Sequence, residues 1–200
     1  MEFPPISPLP PYPQRGPRVP PPPLMAEILQ IIQLGHPVLR QQAQMVDNIQ
    51  DQHIQKLIDD LIATLGNANG VGIAAPQVAE CDRLFIVASC PSVRYPNAPV
   101  MEPVAMINPK LLAHSIEVIK GWEGCLSIPG IRGLVPRYQA IEVEYTDRDG
   151  KTQKQELTDF IARIFQHEYD HLDGVVFLDR LDTRDIITEQ EYQKRVSTGK

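Results

Sequence analysis

Two histidines four positions apart are the clearest chemical feature of the sequence. In "HEYDH", a helix would project His167 and His171 from one face, where both imidazoles can reach one metal ion. Glu168 follows the first histidine and can move a proton without binding the ion. Apolar neighbours such as Phe160 and Ile164 predict a buried face, where each unpartnered polar side chain would cost about 1–3 kcal/mol. The pattern favours a metal site over a solvated helix face.

A catalytic metal site usually has three protein ligands and one open position, so a third ligand is needed. The extended metalloprotease pattern would place a histidine at position 177, which is Phe177. Another protease class uses a downstream glutamate, here Glu189, but its surroundings "TEQEYQKR" predict an exposed terminal helix. Cys125, in "GWEGCLSIPG", is the other candidate, and its thiolate would suit Fe²⁺, Zn²⁺, Co²⁺ or Ni²⁺. These residues alone leave Cys125 and Glu189 open.

Composition narrows the class of protein. The formal net charge is −6 and no block of Lys or Arg stands out. The sequence therefore has no basic patch of the kind that binds nucleic acid or an anionic membrane. Three cysteines without a regular framework indicate a reducing compartment, and Cys81 and Cys90 are interpreted as small hydrophobic residues. The longest apolar runs are too short to span a bilayer. A soluble protein is expected.

The first 24 residues differ from the rest of the chain, because they hold eleven of its 20 prolines. This composition blocks both helices and sheet ladders and predicts a disordered extension. Residues 25–200 are then expected to form a single catalytic domain, with Met25 as a natural start and the extension dispensable. The alternative is a functional arm that docks on a proline-binding module.

Periodicity outlines the elements that would position these residues. Apolar residues between positions 51 and 65 form one helical stripe, and a second helix is expected from Thr158 or Asp159, with Asp159 as N-cap, to just before Gly174. Strands are predicted at 83–89 and 105–112, a hairpin at 141–157, and a final helix at about 183–195. Strands gathered before one long helix predict an α+β fold.

Three segments together resemble the peptide deformylase family: "GVGIAAPQ" at 70–77, "EGCLS" at 123–127 and "QHEYDHLDG" at 166–174. Alone, the first is a tight loop before a strand and only weak support for a phosphate loop. The similarity runs from about Leu34 to Leu181. It implies antiparallel strands wrapped around a central helix that carries the HExxH motif.

The resemblance also implies a role for each motif residue. It gives Cys125, His167 and His171 as ligands of one metal ion, usually Fe²⁺, with Zn²⁺, Ni²⁺ or Co²⁺ as substitutes. Glu168 would be the general acid/base, while the Gln77 amide and the Leu126 backbone N–H would stabilise an oxyanion. Substrate binding would involve the Gly72 backbone and an apolar pocket for the methionine side chain, with candidates Val71, Phe160 and Ile164. Arg132 either lines this region or is an ordinary exposed arginine.

The implied activity is removal of the N-formyl group from the N-terminal methionine of new polypeptides, with release of formate. N-formylmethionyl nascent peptides would be the substrates of a monomer in the bacterial cytoplasm, in preference to a plastid. A transient ribosome contact through the C-terminal helix is left open. The alternatives are an HExxH zinc endopeptidase and an inactive interaction protein that acts through the proline-rich arm.

Overall fold

The computed structural model describes residues 26–91 and 98–198. The predicted proline-rich extension, residues 1–24, lies outside this described part. The helices are α1 (Gln52–Asn67), α2 (Asp159–Leu172) and α3 (Glu189–Thr198). The strands are β1 (Gly72–Ala74), β2 (Leu84–Ser89), β3 (Met101–His114), β4 (Val118–Cys125), β5 (Ile128–Tyr138), β6 (Ala140–Thr146), β7 (Thr152–Thr158) and β8 (Ile186–Thr188).

The strands form two antiparallel sheets. A five-stranded sheet has the order β1-β2-β3-β6-β7, and a three-stranded sheet has the order β4-β5-β8. Strand β2 shows how the larger sheet is held, because its side chains alternate between two faces. Leu84 and Ile86 belong to one apolar cluster with the stripe of α1, whereas Phe85 and Val87 belong to another with α2. The larger sheet is therefore covered on both faces.

Helix α2 lies at the centre of these contacts. It packs against strands β1, β2, β5, β6 and β7, which belong to both sheets. Phe165 of α2 meets Phe85 of β2 edge to face, with ring centroids 5.3 Å apart, a favourable arrangement for aromatic pairs. The predicted α+β class with antiparallel strands is confirmed, and the helix that carries His167 and His171 is anchored in the core.

The predicted helical stripe, the second helix and the 141–157 hairpin match α1, α2 and the β6–β7 pair. The prediction of a final helix from 183 is wrong at its start, because Ile186–Thr188 pairs with β5 and helix α3 begins only at Glu189. Asp159 is not the N-cap. Thr158 holds that position, and the Asp159 carboxylate accepts a hydrogen bond from the Gln139 side chain.

The remaining elements differ from the sequence interpretation in detail. The "GVGIAAPQ" segment is a short strand followed by a 3-10 turn, Ala75–Val78, rather than a simple loop. Of the two cysteines interpreted as small hydrophobic residues, Cys90 is exposed and Cys81 is half-buried. Across residues 26–91 and 98–198, no helix has the length and apolar character needed to cross a membrane.

Candidate metal centre

The three motifs meet at one place in the fold. Cys125 ends strand β4, next to the turn into β5, while His167 and His171 lie on α2. Their ligand atoms all lie within 4.8 Å of one another, and the two imidazole rings are edge to face with centroids 5.2 Å apart. The fold thus joins the thiol to the histidine pair, and Glu189 is not part of this group.

The geometry of these donors fits a small divalent ion. The Cys125 Sγ lies 3.2 Å from the His171 Nε2. Metal–sulfur and metal–nitrogen bonds of about 2.3 and 2.0–2.1 Å would put such atoms about 3.5 Å apart at a tetrahedral ion, so small shifts suffice. One thiolate and two imidazoles form a donor set for Fe²⁺, Zn²⁺, Co²⁺ or Ni²⁺. Three protein ligands leave one coordination position for water or substrate.

A buried ionic network fixes the orientation of His167. Its Nδ1 lies 2.9 Å from the Glu123 Oε2, which leaves Nε2 for a metal ion. Arg137 donates to both Glu123 oxygens at 3.0 Å and to the Asp170 Oδ2 at 2.6 Å. Burial raises the pKa of Glu123, but hydrogen bonds from His167 and Arg137 outweigh this effect and lower it to about 2. Glu123 therefore stays ionised and holds the ring.

The chemistry of His171 and Glu168 is set mainly by burial. Burial lowers the pKa of His171 well below its usual value, which favours the neutral imidazole that binds metals. Burial raises the pKa of Glu168 to about 7, which suits a group that both takes up and releases a proton near neutral pH. The Glu168 side chain is buried, and its Oε2 has no hydrogen-bond partner in the described part of the protein.

Gly72 makes room for this carboxylate. A Cβ atom at position 72 would lie 2.3 Å from the Glu168 Oε1 and under 3 Å from its Cδ and Cγ atoms. The sequence explains this glycine by close approach of a substrate backbone, but the structure adds a second reason. Any side chain at position 72 would displace the Glu168 carboxylate.

Gln77 is held so that its amide nitrogen points into the site. Its Oε1 accepts a hydrogen bond from the Ala74 backbone N–H at 2.8 Å. This contact turns the Nε2 toward the Cys125 Sγ, at 3.4 Å, and the Ser127 hydroxyl, at 3.3 Å. The side chain is 1% exposed. An oriented amide donor therefore lies beside the thiol.

The chain before α1 ties two of the motifs together. The Ile32 backbone N–H donates to the Gln77 carbonyl at 2.9 Å, and the Leu34 N–H donates to the Ser127 carbonyl at 2.8 Å. These acceptors belong to the "GVGIAAPQ" and "EGCLS" segments. The segment 32–34 thereby fixes their separation.

A cavity of about 270 Å³ opens beside the three donors. Cys125, Leu126, His167 and Glu168 line this cavity. It is also lined by all five residues predicted to bind substrate, which are Val71, Gly72, Arg132, Phe160 and Ile164. Arg132 is 5% exposed, so the alternative of an exposed arginine is wrong. Its guanidinium pairs with Glu189 and lies over the Tyr192 ring, 5.1 Å from the centroid.

The sequence interpretation missed the residues that support the donors. Glu123 lies inside the "EGCLS" motif, and its position two residues before the thiol was the available signal. Arg137, which binds Glu123, lies in a segment without a recognisable pattern, and Arg163, which also binds Glu123, lies on the predicted second helix without a signal of its own. Glu189 and Trp122 also line the cavity. The hypothesis that Glu189 is the third ligand is not supported, because its carboxylate pairs with Arg132.

Comparison with known proteins gives one consistent family. A family model described as polypeptide deformylase matches residues 28–186. Peptide deformylase 2 of Nostoc sp. is 69% identical over 172 residues, which cover 86% of this chain and 96% of that protein. Peptide deformylase 2 of Shewanella oneidensis is 48% identical over 76% of this chain and 83% of that protein.

Solved structures give the same result for the fold. A class I type b peptide deformylase from Acinetobacter baumannii with Met-Ala-Ser bound superposes with a TM-score of 0.77 at 42% identity, covering 78% of this chain and 100% of that one. A peptide deformylase from Synechococcus elongatus in complex with actinonin superposes with a TM-score of 0.70 at 36% identity, covering 80% and 82%. The similarity covers both sequence and fold.

Proposed function

The chain belongs to the polypeptide deformylase family, and on this premise we propose how its residues remove the N-formyl group from nascent peptides. Proteins of this family are hydrolases that act in N-terminal processing. The observation that carries the assignment of roles is the buried Glu168 carboxylate, whose Oε2 has no hydrogen-bond partner among the described residues, beside three convergent metal donors.

We propose that Cys125, His167 and His171 hold one divalent ion, with Fe²⁺ as the native metal and Zn²⁺, Ni²⁺ or Co²⁺ as substitutes. The convergent donors support the ligand set. When bound, the ion supplies a Lewis acid that polarises a carbonyl oxygen and lowers the pKa of water. Glu123 and Arg137 keep the His167 ring in the ligating orientation. A thiolate ligand to Fe²⁺ makes oxygen sensitivity an expected property.

The other steps of the proposed reaction are carried out by side-chain and backbone groups of the protein. Glu168 takes a proton from the attacking water and returns it to the leaving amine, which its raised pKa permits. Gln77 donates a hydrogen bond from Nε2 to the oxygen that becomes negative, and the Leu126 backbone N–H is proposed as a second donor. Removing one such donor typically costs about 2.7–4 kcal/mol of transition-state stabilisation.

Substrate binding is proposed along strand β1. This strand is an edge of the larger sheet, and its first residue, Gly72, lines the cavity, so an extended peptide can pair with the Gly72 backbone. Val71, Phe160 and Ile164 form the apolar lining that would receive the methionine side chain. Arg132 lines the cavity beside its partner Glu189 and would contact the substrate peptide beyond its N-terminal methionine.

The wider biological setting is proposed in the same way. The substrates are N-formylmethionyl nascent peptides, and the bacterial and cyanobacterial origin of the relatives favours a bacterial cytoplasm. We propose a monomer that contacts the ribosome transiently through α3. The endopeptidase alternative loses its third ligand because Glu189 pairs with Arg132. The interaction-protein alternative depends on residues outside the described ranges.

The Glu168→Gln variant tests the assignment of roles. Formate release from formyl-Met-Ala-Ser should fall about 10²–10⁴-fold, because the amide cannot transfer the proton. Metal content of anaerobically purified protein should stay at one ion per chain, whereas Cys125→Ser should lower it. Glu191→Gln, a change at an exposed glutamate of α3, is the control and should leave both quantities unchanged. Wild-type turnover in Glu168→Gln would refute its role.

A further inference from the structure

We propose a second, surface metal site formed by His53, Glu80 and Asp82, which binds a divalent transition-metal ion such as Zn²⁺. The three side chains come from the first turn of α1 and from the segment that follows the 3-10 turn Ala75–Val78. One ligand atom from each lies within 4.8 Å of the other two. This group lies outside the lining of the cavity at the catalytic centre.

The separations between the donors suit a shared ion. The His53 Nε2 lies 3.8 Å from the Glu80 Oε2 and 3.8 Å from the Asp82 Oδ2. These distances are too long for hydrogen bonds. Zinc bonds to nitrogen and oxygen of about 2.0–2.2 Å place neighbouring donors about 3.3–3.6 Å apart at a tetrahedral ion, so small shifts of the side chains suffice. A single ion between the three groups would therefore replace two long contacts with three coordinate bonds.

The backbone that carries the donors is already ordered. The His53 N–H donates to the Asp51 carboxylate at the start of α1, at 2.8 Å. The Glu80 N–H donates to the Ala75 carbonyl at 3.2 Å, and backbone hydrogen bonds join Gln44 to the residues on both sides of Asp82. Glu80 and Asp82 are two positions apart, and their carboxylate oxygens already lie within 4.8 Å of each other. Binding would mainly restrict the three side chains.

Neighbouring cations do not compensate the two carboxylates. Lys56, one turn after His53, contacts Asp60 at 2.7 Å and Glu27 at 3.6 Å. Arg83 adjoins Asp82 but donates to Asp173 at 2.8 Å. Within the described ranges, His53 is the basic side chain within 4.0 Å of the Glu80 and Asp82 carboxylates. A divalent cation would neutralise both carboxylate charges at this point.

The donor chemistry distinguishes this site from the catalytic one. One imidazole and two carboxylates form a nitrogen and oxygen set without thiolate, which suits Zn²⁺, Co²⁺, Ni²⁺ or Cu²⁺ and does not favour soft ions. The side chains of His53, Glu80 and Asp82 are 59%, 41% and 26% exposed. Water therefore has access to the remaining coordination positions. We infer reversible binding rather than a permanently retained ion.

The test is a titration of the holoenzyme with Zn²⁺, followed by imidazole ¹⁵N–¹H NMR. The His53 signals should shift and saturate at one added ion per chain, while those of the exposed His36 and His114 should not. Glu80→Gln and Asp82→Asn should each raise the Zn²⁺ concentration for half-saturation about tenfold or more, since even loss of an outer-shell partner costs about 10–100-fold. Glu156→Gln, an equal change of charge on exposed β7, should have no effect.

A second measurement keeps the test independent of catalysis and of folding defects. Zn²⁺ should raise the Tm of the wild-type holoenzyme and not that of His53→Ala, because only a folded state with the site gains binding energy. Formate release by His53→Ala should equal that of the wild type, which separates this proposal from the catalytic one. Equal shifts at His36 and His114, or unchanged titrations in Glu80→Gln and Asp82→Asn, would overturn the proposal.

Discussion

Replacing Arg137 with methionine should destabilise the protein strongly, because it removes a buried cation that two carboxylates share. The Arg137 side chain is 5% exposed and bridges two carboxylates, Glu123 and Asp170, through three hydrogen bonds of 2.6–3.0 Å. Methionine would fill most of the volume but supply no donor. Both carboxylates would then be buried with one cationic partner fewer.

The magnitude follows from what remains around each carboxylate. Removing one partner of a buried ion pair typically costs about 3–5 kcal/mol, because it leaves an uncompensated charge. Arg163 still donates to Glu123 at 2.8 Å and Arg180 still donates to Asp170 at 2.6 Å. We therefore expect a loss at the lower end, about 3 kcal/mol. Weaker support of Glu123 should also reduce metal affinity about 10–100-fold through His167.

Urea unfolding and metal analysis check both parts of this prediction. The midpoint should fall in Arg137→Met while the slope with urea stays unchanged, which identifies a change in stability rather than in compactness. Arg184→Met is the matched control, because this arginine is 88% exposed and pairs with Asp182 at the surface. The control should change the unfolding free energy by no more than about 0.5 kcal/mol. If both variants unfold at the same urea concentration, the network does not stabilise the fold.

Three further changes test other parts of the structure. Gly72→Ala should lower formate release about 100-fold or more, because the new Cβ displaces the Glu168 carboxylate and general acid/base catalysis is lost. Gly66→Ala is the control, since the space around its Cβ is open, and should keep wild-type activity. Equal activity of the two variants would contradict the steric argument. Leu61→Ala, in the fully buried stripe of α1, should cost about 2–5 kcal/mol in urea unfolding, and a loss under 1 kcal/mol would mean that α1 is not part of the core. Chelation of the catalytic ion should lower the Tm in calorimetry, and anaerobic Fe²⁺ should restore it; an unchanged Tm would argue against coupling of metal binding to folding.

Local patterns in the sequence were sufficient for the parts of the site that one element carries. The helical period places His167 and His171 on one face of α2, and the apolar stripe predicts α1. The third ligand could not be predicted in this way, because residue spacing did not distinguish Cys125 from Glu189. Cys125 reaches the histidines through the β4–β5 pairing and the packing of β5 against α2, which connect residues far apart in the chain.

The errors have the same physical origin. The alternative of an exposed Arg132 is wrong, because tertiary contacts with Glu189 and Tyr192 bury an arginine that would otherwise lie at the surface. The C-terminal segment from 183 was expected to be helical throughout, yet Ile186–Thr188 completes the smaller sheet beside Ile131–Gly133. In each case the partner comes from another part of the chain. Intrinsic propensity is a weak prior where such pairing is available.

The backbone hydrogen bonds of Ile32 and Leu34 affect when the active site can form during synthesis of the chain. These residues leave the ribosome early, but their acceptors, Gln77 and Ser127, and the helix with His171 follow much later. Contacts between such distant positions close large loops and slow folding. An enzyme that processes the first residue of other emerging chains thus becomes active only when almost all of its own described chain has been made.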